Sequence, residues 1–151
     1  MLLVSETKSG RKQMPTTTVQ DVMTKGPTSI ANDAMVVEAA RRMLAEDVGS
    51  LPVVDGDSLV GMITDRDVVL QVVAKDLDPN KVPVSNVCSE GPVTAQPDEP
   101  LDDALARMAK EQVRRLPVVT DGRLVGILAQ ADIARTARPE STGRLVEEIS
   151  E

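Results

Sequence analysis

The sequence predicts an α/β protein of the α+β type, in which two β-α-β-β-α repeats pack with pseudo-two-fold symmetry. The first observation behind this prediction is an internal repeat. Residues 19–70 align with residues 84–135 at a constant offset of 65, without a gap and with 18 identities over 52 positions. The second observation is that each copy changes from a helical to a strand-like hydrophobic period. Because so short a unit buries little surface alone, we expect the copies to pack on each other.

The first helix of each copy is predicted from apolar residues at helical spacing. These residues run from Val36 to Leu44 in the first copy and from Leu101 to Met108 in the second. Asn32 and Asp33 precede the first of these runs and are its candidate caps, and Gly49 is its candidate end. The sequence therefore predicts one amphipathic helix near the start of each copy.

A β-hairpin is predicted after each of these helices. In the first copy, two short β-branched runs at 51–54 and 59–63 flank Asp55-Gly56-Asp57. In the second copy, the equivalent runs flank Thr120-Asp121-Gly122. Aspartate and glycine favour tight turns, so each pair of runs is expected to form a hairpin.

The repeats divide the chain into five segments. These are an N-terminal arm (1–18), repeat 1 (19–74), a linker (75–83), repeat 2 (84–137) and a C-terminal tail (138–151) that is expected to hold one short helix. Each repeat is expected to end with a second helix. Asp65 or Asp67 would open this helix in repeat 1, and Asp132 would open it in repeat 2.

The composition argues against several classes of function. The chain has no His, which excludes Ser-His-Asp triads and imidazole ligands for zinc. It has no Phe, Tyr or Trp, so no ring can stack on a nucleic-acid base. Its formal net charge of −7 has the wrong sign for binding nucleic acid or an anionic membrane. We therefore expect a binding module, with neither nucleic acid nor membrane as its partner.

The single cysteine and the N-terminal residues give information about the cellular location of the protein. Cys88 cannot form an intramolecular disulfide, and we expect it to be a small buried apolar residue. An intermolecular disulfide or a redox sensor is the alternative. The apolar start, residues 1–4, is too short for a signal peptide or a membrane span. The expected location is the cytoplasm.

Two motifs recur in the same order in both copies. One is L-P-V-V, at 51–54 and 116–119, and the other is G-h-h-x-x-x-D, with h apolar, at 61–67 and 126–132. With the β-α-β-β-α order, they make the chain resemble the cystathionine β-synthase (CBS) domain family, two of whose domains form a Bateman module. The resemblance covers residues 19–74 and 84–137 and implies a stand-alone regulatory module that signals to a partner protein.

The resemblance also implies a flat disc with two clefts that bind adenosine-containing ligands such as AMP, ADP or ATP. Each cleft would combine strands of one copy with the G-h-h-T-x-x-D turn of the other. An aspartate at a helix start can accept hydrogen bonds from ribose hydroxyls, and a helix start favours anions. Thr64 and Asp67 supply this pattern in repeat 1, whereas repeat 2 has Ala129 with Asp132. Helix capping without a ligand is the alternative for these residues.

The two expected clefts differ in charge. The first is expected to contain Thr64, Asp67, Ser89, Val93, Thr94, Val113, Arg114 and Arg115. The second is expected to contain Thr24, Thr28, Ser29, Val48, Gly49, Ser50, Ala129 and Asp132, and it lacks an obvious cation. Within the first cleft, Arg115 is the preferred phosphate ligand by family position. A solvated edge, or a salt bridge from the arginine pair to Asp65 or Glu111, is the alternative.

Two functions follow from these expectations. The first is a sensor module that binds an adenine nucleotide, and the second is a ligand-independent dimeric interaction or scaffold protein. Catalysis is not expected, because no nucleophile and base can be paired. A homodimer is expected, formed through a helical surface that contains Met43, Leu105 and Met108.

Overall fold

The structure is a computed structural model that describes residues 17–136. Repeat 1 contains β1 (Thr24–Lys25), β2 (Ile30–Ala31), α1 (Val36–Glu46), β3 (Ser50–Asp55), β4 (Ser58–Thr64) and α2 (Asp65–Val68), which continues as a π-helical turn (Val69–Val73). Repeat 2 contains β5 (Ser89–Glu90), α3 (Leu101–Glu111), β6 (Arg115–Thr120), β7 (Arg123–Ala129) and α4 (Gln130–Thr136). A 3-10 turn opens each repeat, at Val19–Asp21 and Val84–Asn86. The predicted helix of the C-terminal tail lies outside the described residues.

The described strands form one seven-stranded sheet in which the repeats exchange their first strands. β1 pairs with β7 of repeat 2 through Thr24 and Ile127, and β5 pairs with β4 of repeat 1 through Ser89 and Met62. The two pairings are equivalent, because Thr24 and Ser89, and likewise Met62 and Ile127, are 65 residues apart in the sequence. Ser58 and Arg123, which are equivalent positions, join the two hairpins directly. The register therefore confirms the predicted pseudo-two-fold arrangement.

The two hydrophobic cores are also shared between the repeats. Val19 and Val22 of repeat 1 are buried in the core that α3, β6 and β7 build in repeat 2. Their counterparts Val84 and Val87 pack in the core of repeat 1. Each repeat thus completes its core with the entrance segment of the other, which we define as residues 17–25 and 84–90.

Three details of the elements differ from the sequence prediction. Each repeat has an extra extended segment before its first helix, which is β2 in repeat 1 and the single bridge of Ala95 to Val118 in repeat 2. Asn32 and Asp33 do not cap α1, because the amide of Val36 donates instead to the carbonyl of Val82 in the linker, at 2.8 Å. The helix ends at Asp47, in the left-handed conformation (φ 57°), rather than at Gly49.

The predicted dimer surface is wrong in its residues. Met43 is 6% exposed and belongs to the core of repeat 1, and Met108 is 2% exposed and belongs to the core of repeat 2. Leu105 packs against the core of repeat 2. Within residues 17–136, the large apolar side chains that are exposed lie in α1, in α2 with its π-helical turn, or just after them. We refer to these exposed residues together as the apolar patch of repeat 1; they are Leu44, Val69, Leu70 and Val73, with Leu77 in the linker.

Candidate functional site

Two clefts open where the repeats meet. The larger has a volume of about 800 Å³ and is lined by Gly49, Ser50, Met62, Thr64, Asp65, Arg66, Ser89, Pro92, Val93, Gln112, Val113, Arg114, Arg115 and Pro117. The smaller has a volume of about 280 Å³ and is lined by Thr24, Gly26, Pro27, Thr28, Glu46, Val48, Leu51, Arg115 and Ile127. The larger cleft lies within the size range of small-molecule sites, and the smaller is just below it.

The linings of the two clefts are related by the internal repeat. Six positions are equivalent at the 65-residue offset: Thr24 and Ser89, Pro27 and Pro92, Thr28 and Val93, Val48 and Val113, Ile127 and Met62, and Arg115 and Ser50. In five of these pairs the two equivalent side chains are of broadly similar size. The sixth places an arginine in the smaller cleft where the larger has a serine.

The larger cleft brings together six of the eight residues predicted for it. These are Thr64, Ser89, Val93, Val113, Arg114 and Arg115. Asp67 stands behind the wall as part of a capping box. Its carboxylate accepts from the Thr64 amide at 2.9 Å, and the Thr64 hydroxyl accepts from the Asp67 amide at 3.0 Å. Thr94 is also outside the lining, and its carbonyl accepts from Arg107 at 3.0 Å.

The charge of the larger cleft is positive. Three arginines, Arg66, Arg114 and Arg115, line it, with Asp65 as the acidic residue. Sequence analysis missed Arg66, although this residue lies inside the G-h-h-T-x-x-D motif and its position was a visible signal. In a chain of net charge −7, such a cluster favours an anionic group.

The smaller cleft differs from its prediction in two respects. Thr24, Thr28 and Val48 line it as predicted, but Gly49 and Ser50 line the larger cleft instead. Ser29, Ala129 and Asp132 are absent from the lining. The expectation that this cleft lacks a cation is wrong, because Arg115 extends into it and stands beside Glu46, another lining residue that the sequence analysis missed.

Two carboxylates lie close enough to act on the charge of Arg115: Glu46, in the lining of the smaller cleft, and Asp132, which is buried outside that lining. Asp132, which is 9% exposed, accepts a hydrogen bond from the Thr24 hydroxyl at 3.1 Å, and Glu46 accepts one from Thr28 at 3.3 Å. Arg115 donates to the carbonyl of Ser50 at 3.0 Å rather than to the predicted alternatives, Asp65 or Glu111. Burial lowers the pKa of Arg115, and the charges of Asp132 and Glu46 oppose that shift.

Cys88 lies at the edge of the repeat 1 core. Its side chain is half-buried and approaches Gly61, where a Cβ atom would meet the sulfur at 3.2 Å. Burial raises the pKa of the thiol, against a lowering by a backbone hydrogen bond. The thiol is therefore neutral near pH 7, as expected of an apolar packing residue.

Curated relatives and solved structures resemble the chain over most of its length. CBS domain-containing protein YhcV of Bacillus subtilis is 40% identical over 133 residues, which cover 87% of this chain and 94% of YhcV. The crystal structure of hypoxic response protein I with two coordinated zinc ions is 37% identical, has a TM-score of 0.74, and the match covers 81% of this chain and 100% of that one. Within residues 17–136 we find no group of His, Cys, Asp or Glu that could hold a metal ion.

Two further structures contain adenosine-type ligands. The CBS domain pair of protein MJ0100, in complex with 5′-methylthioadenosine and S-adenosyl-L-methionine, is 32% identical, with a TM-score of 0.69 and coverage of 80% of this chain and 95% of that one. CBSX2 in complex with AMP is 29% identical, with a TM-score of 0.69 and coverage of 78% and 93%. The family model of the CBS domain matches residues 19–74 and 84–138. The chain therefore belongs to the CBS domain family and carries two CBS domains.

Proposed function

We propose that this CBS pair is a regulatory module that binds an adenosine-containing nucleotide, such as AMP, ADP or ATP, in the larger cleft and signals to a partner protein. The observation that carries the proposal is the meeting of Arg66, Arg114 and Arg115 on one cavity of about 800 Å³. Guanidinium groups form charge-assisted, often bidentate hydrogen bonds with phosphate. The cavity has room for a base and a ribose beside the phosphate.

The rest of the lining suits the uncharged part of such a ligand. Met62, Pro92, Val93, Val113 and Pro117 offer aliphatic contacts for a purine. The Thr64 hydroxyl accepts from the Asp67 amide and still has its own proton to donate to a ribose or phosphate oxygen. Because the chain has no aromatic residue to stack on the base, we expect a dissociation constant in the micromolar range or weaker, about −8 kcal/mol at most.

The ligands named for the MJ0100 pair and for CBSX2 support an adenosine-containing ligand. The experiment is isothermal titration calorimetry with AMP, ADP, ATP and adenosine, together with thermal unfolding. At a hundredfold excess over its dissociation constant, the bound nucleotide should stabilise the protein by about 2.7 kcal/mol. If none of the four gives heat or a shift in melting temperature at millimolar concentration, the nucleotide proposal fails.

The alternative function is a ligand-independent dimeric interaction or scaffold protein, and the apolar patch of repeat 1 favours it. Leu44 is 84% exposed and Val73 is 62% exposed, on helices that pack against each other. A homodimer that covers this patch is compatible with both functions. No helix in the described part of the chain is long and apolar enough to cross a bilayer. A cytoplasmic location and the lack of catalysis stay predictions.

A further inference from the structure

Arg115 belongs to both clefts. Among the described residues it is the one that appears in the lining of each. Its backbone begins β6 in repeat 2, and its guanidinium donates to the carbonyl of Ser50, at the start of β3 in repeat 1. A single cationic group thus stands at the boundary between two cavities that the repeat makes otherwise similar.

The side chain of Arg115 forms part of the wall of the smaller cleft. At the equivalent position of the larger cleft, the short side chain of Ser50 leaves the space open, and the two volumes are about 280 and 800 Å³. Glu46 and Asp132 attract the guanidinium toward the smaller cleft. The arginine occupies space there that a ligand would need.

A phosphate in the larger cleft would compete for the same guanidinium. A bidentate contact between a guanidinium and a phosphate joins two opposite charges and is stronger than a single hydrogen bond from the guanidinium to an uncharged carbonyl, and Arg114 and Arg66 would hold the phosphate nearby. We infer that Arg115 is a gate shared by the two clefts, which closes the smaller one until an anionic ligand in the larger one draws its guanidinium away. The closing step rests on the geometry alone, and the opening step rests on the proposed function.

The chemistry of the opened cleft would differ from that of the larger one. With Arg115 withdrawn, Glu46 and Asp132 remain beside the hydroxyls of Thr24 and Thr28. Two carboxylates repel a phosphate and accept hydrogen bonds from hydroxyl groups. The smaller cleft would therefore take an uncharged nucleoside, such as adenosine, in preference to a nucleotide.

A labelling experiment tests the gate without requiring any ligand. Val48 and Val113 are equivalent residues of the smaller and larger clefts, and each is replaced by cysteine in a Cys88→Ser background. An aromatic disulfide reagent is used at a pH where both thiols are ionised. Arg115→Ser should accelerate labelling at position 48 about tenfold, and by a clearly larger factor than at position 113, where Arg115 is one of several lining residues. Equal rates at position 48 with and without Arg115 would overturn the closing step.

The mirror substitution provides the matched control. Ser50→Arg should close the larger cleft and slow labelling at position 113. The double variant Ser50→Arg with Arg115→Ser keeps the net charge and should reverse which position reacts faster. If a variant fails to fold, its circular dichroism spectrum shows this, and the double variant still tests the closing step.

The opening step is tested with AMP and adenosine as probes. AMP should accelerate labelling at position 48 when Arg115 is present and have no effect after Arg115→Ser, while adenosine alone should be inactive. Calorimetry should find one AMP bound per chain, and a second site for adenosine once AMP is present. If AMP binds the larger cleft and position 48 stays slow, the gate is refuted while the proposed function stands. If AMP binds nowhere, the proposed function and the opening step fail together, and the labelling comparison still decides the closing step.

Discussion

The guanidinium of Arg115 donates a hydrogen bond of 3.0 Å to the main-chain carbonyl of Ser50, the residue that holds the equivalent position in the other repeat. The bond therefore joins two positions related by the pseudo-two-fold axis, and it breaks the symmetry between them. Duplication produced two clefts with matching walls. At this position the smaller cleft has an arginine where the larger has a serine, and Arg115 also lines the larger cleft together with Arg66 and Arg114.

Arg114 is expected to discriminate between phosphorylated and unphosphorylated ligands. It is exposed and lines the larger cleft without reaching the smaller one. Arg114→Gln should weaken AMP binding about tenfold and leave adenosine binding unchanged, because a charge-assisted contact with phosphate is lost. Calorimetry measures both constants. Arg41→Gln, at an exposed arginine outside both linings, is the control, and equal losses for AMP and adenosine would contradict the assignment.

The exchange of entrance segments predicts which fragments fold. Residues 16–76 keep the helices and hairpin of repeat 1 but lack Val84 and Val87, which complete its core. Residues 26–91 include these two valines and β5, the partner strand of β4. By circular dichroism, fragment 26–91 should have the more cooperative thermal transition. A cooperative transition from a strictly monomeric fragment 16–76 would show that the exchange is not needed for stability.

The hairpins and the main helices could be predicted from the sequence, because each depends on local period and turn chemistry. The expected runs at 51–54 and 59–63 lie within β3 and β4, and the predicted helix from Val36 to Leu44 lies within α1. Helix ends were less predictable. The amides at the start of α1 are satisfied by backbone carbonyls of the linker. Because every residue has a backbone carbonyl, the sequence does not indicate which carbonyl will accept from these amides.

The candidate site shows a second limit of sequence reasoning. The repeat identified Thr64, Arg114 and Arg115 as members of one cleft, but alternation along a strand could not show which cleft a long side chain enters. The presence of Arg115 in the lining of the smaller cleft is favoured by the charges of Glu46 and Asp132, which are distant from it in the sequence. The direction of a long side chain can therefore be predicted only when the tertiary structure around it is known.

Gly61 and Gly126 are equivalent residues at which the exchanged segments come close. A Cβ atom at position 61 would overlap the carbonyl oxygen of Ser89, whereas one at position 126 would lie 2.5 Å from the sulfur of Met23 and 3.0 Å from the carbonyl oxygen of Thr24, so its severest contact is with a side chain. Gly61→Ala should cost about 3 kcal/mol and Gly126→Ala about 1 kcal/mol, because a side chain can move and a paired strand cannot. Urea unfolding measures both costs. Met23→Ala should recover part of the cost at position 126, and a larger cost at 126 than at 61 would contradict the argument.

Glu99 is expected to make stability depend on pH in the acid range. It accepts hydrogen bonds from Arg107 at 2.9 Å and from the amide of Gln96 at 2.7 Å. Burial acts to raise the pKa of Glu99, but these bonds and the charge of Arg107 outweigh it and lower the pKa below its usual 4.5. The stabilisation that the Glu99 carboxylate provides is therefore complete above pH 4.5, and it is lost as the pH falls through the lowered pKa of Glu99.

A comparison with Glu99→Gln tests this expectation. The variant should lower the free energy of unfolding at pH 7 by about 1 kcal/mol, because the ion pair is only partly buried. The difference in melting temperature between the two proteins should shrink from pH 6 to pH 3. A constant difference over that range would show that the carboxylate charge contributes nothing.

The apolar patch of repeat 1 predicts a dimer in which repeat 1 faces repeat 1. Leu44 and Val73 are largely exposed, whereas the position equivalent to Leu44 in repeat 2 is Ala109, and among residues 17–136 the large exposed apolar side chains lie in repeat 1 and the linker. A two-fold axis through this patch would bury it against its own copy. Light scattering should give about twice the chain mass of 16.1 kDa for the unmodified protein and a monomer for Leu44→Glu with Val73→Glu. Ala109→Glu, which adds one negative charge at the position of repeat 2 equivalent to Leu44, should remain dimeric. A dimer that survives the double substitution, or an unmodified protein that is monomeric at high micromolar concentration, would rule this interface out.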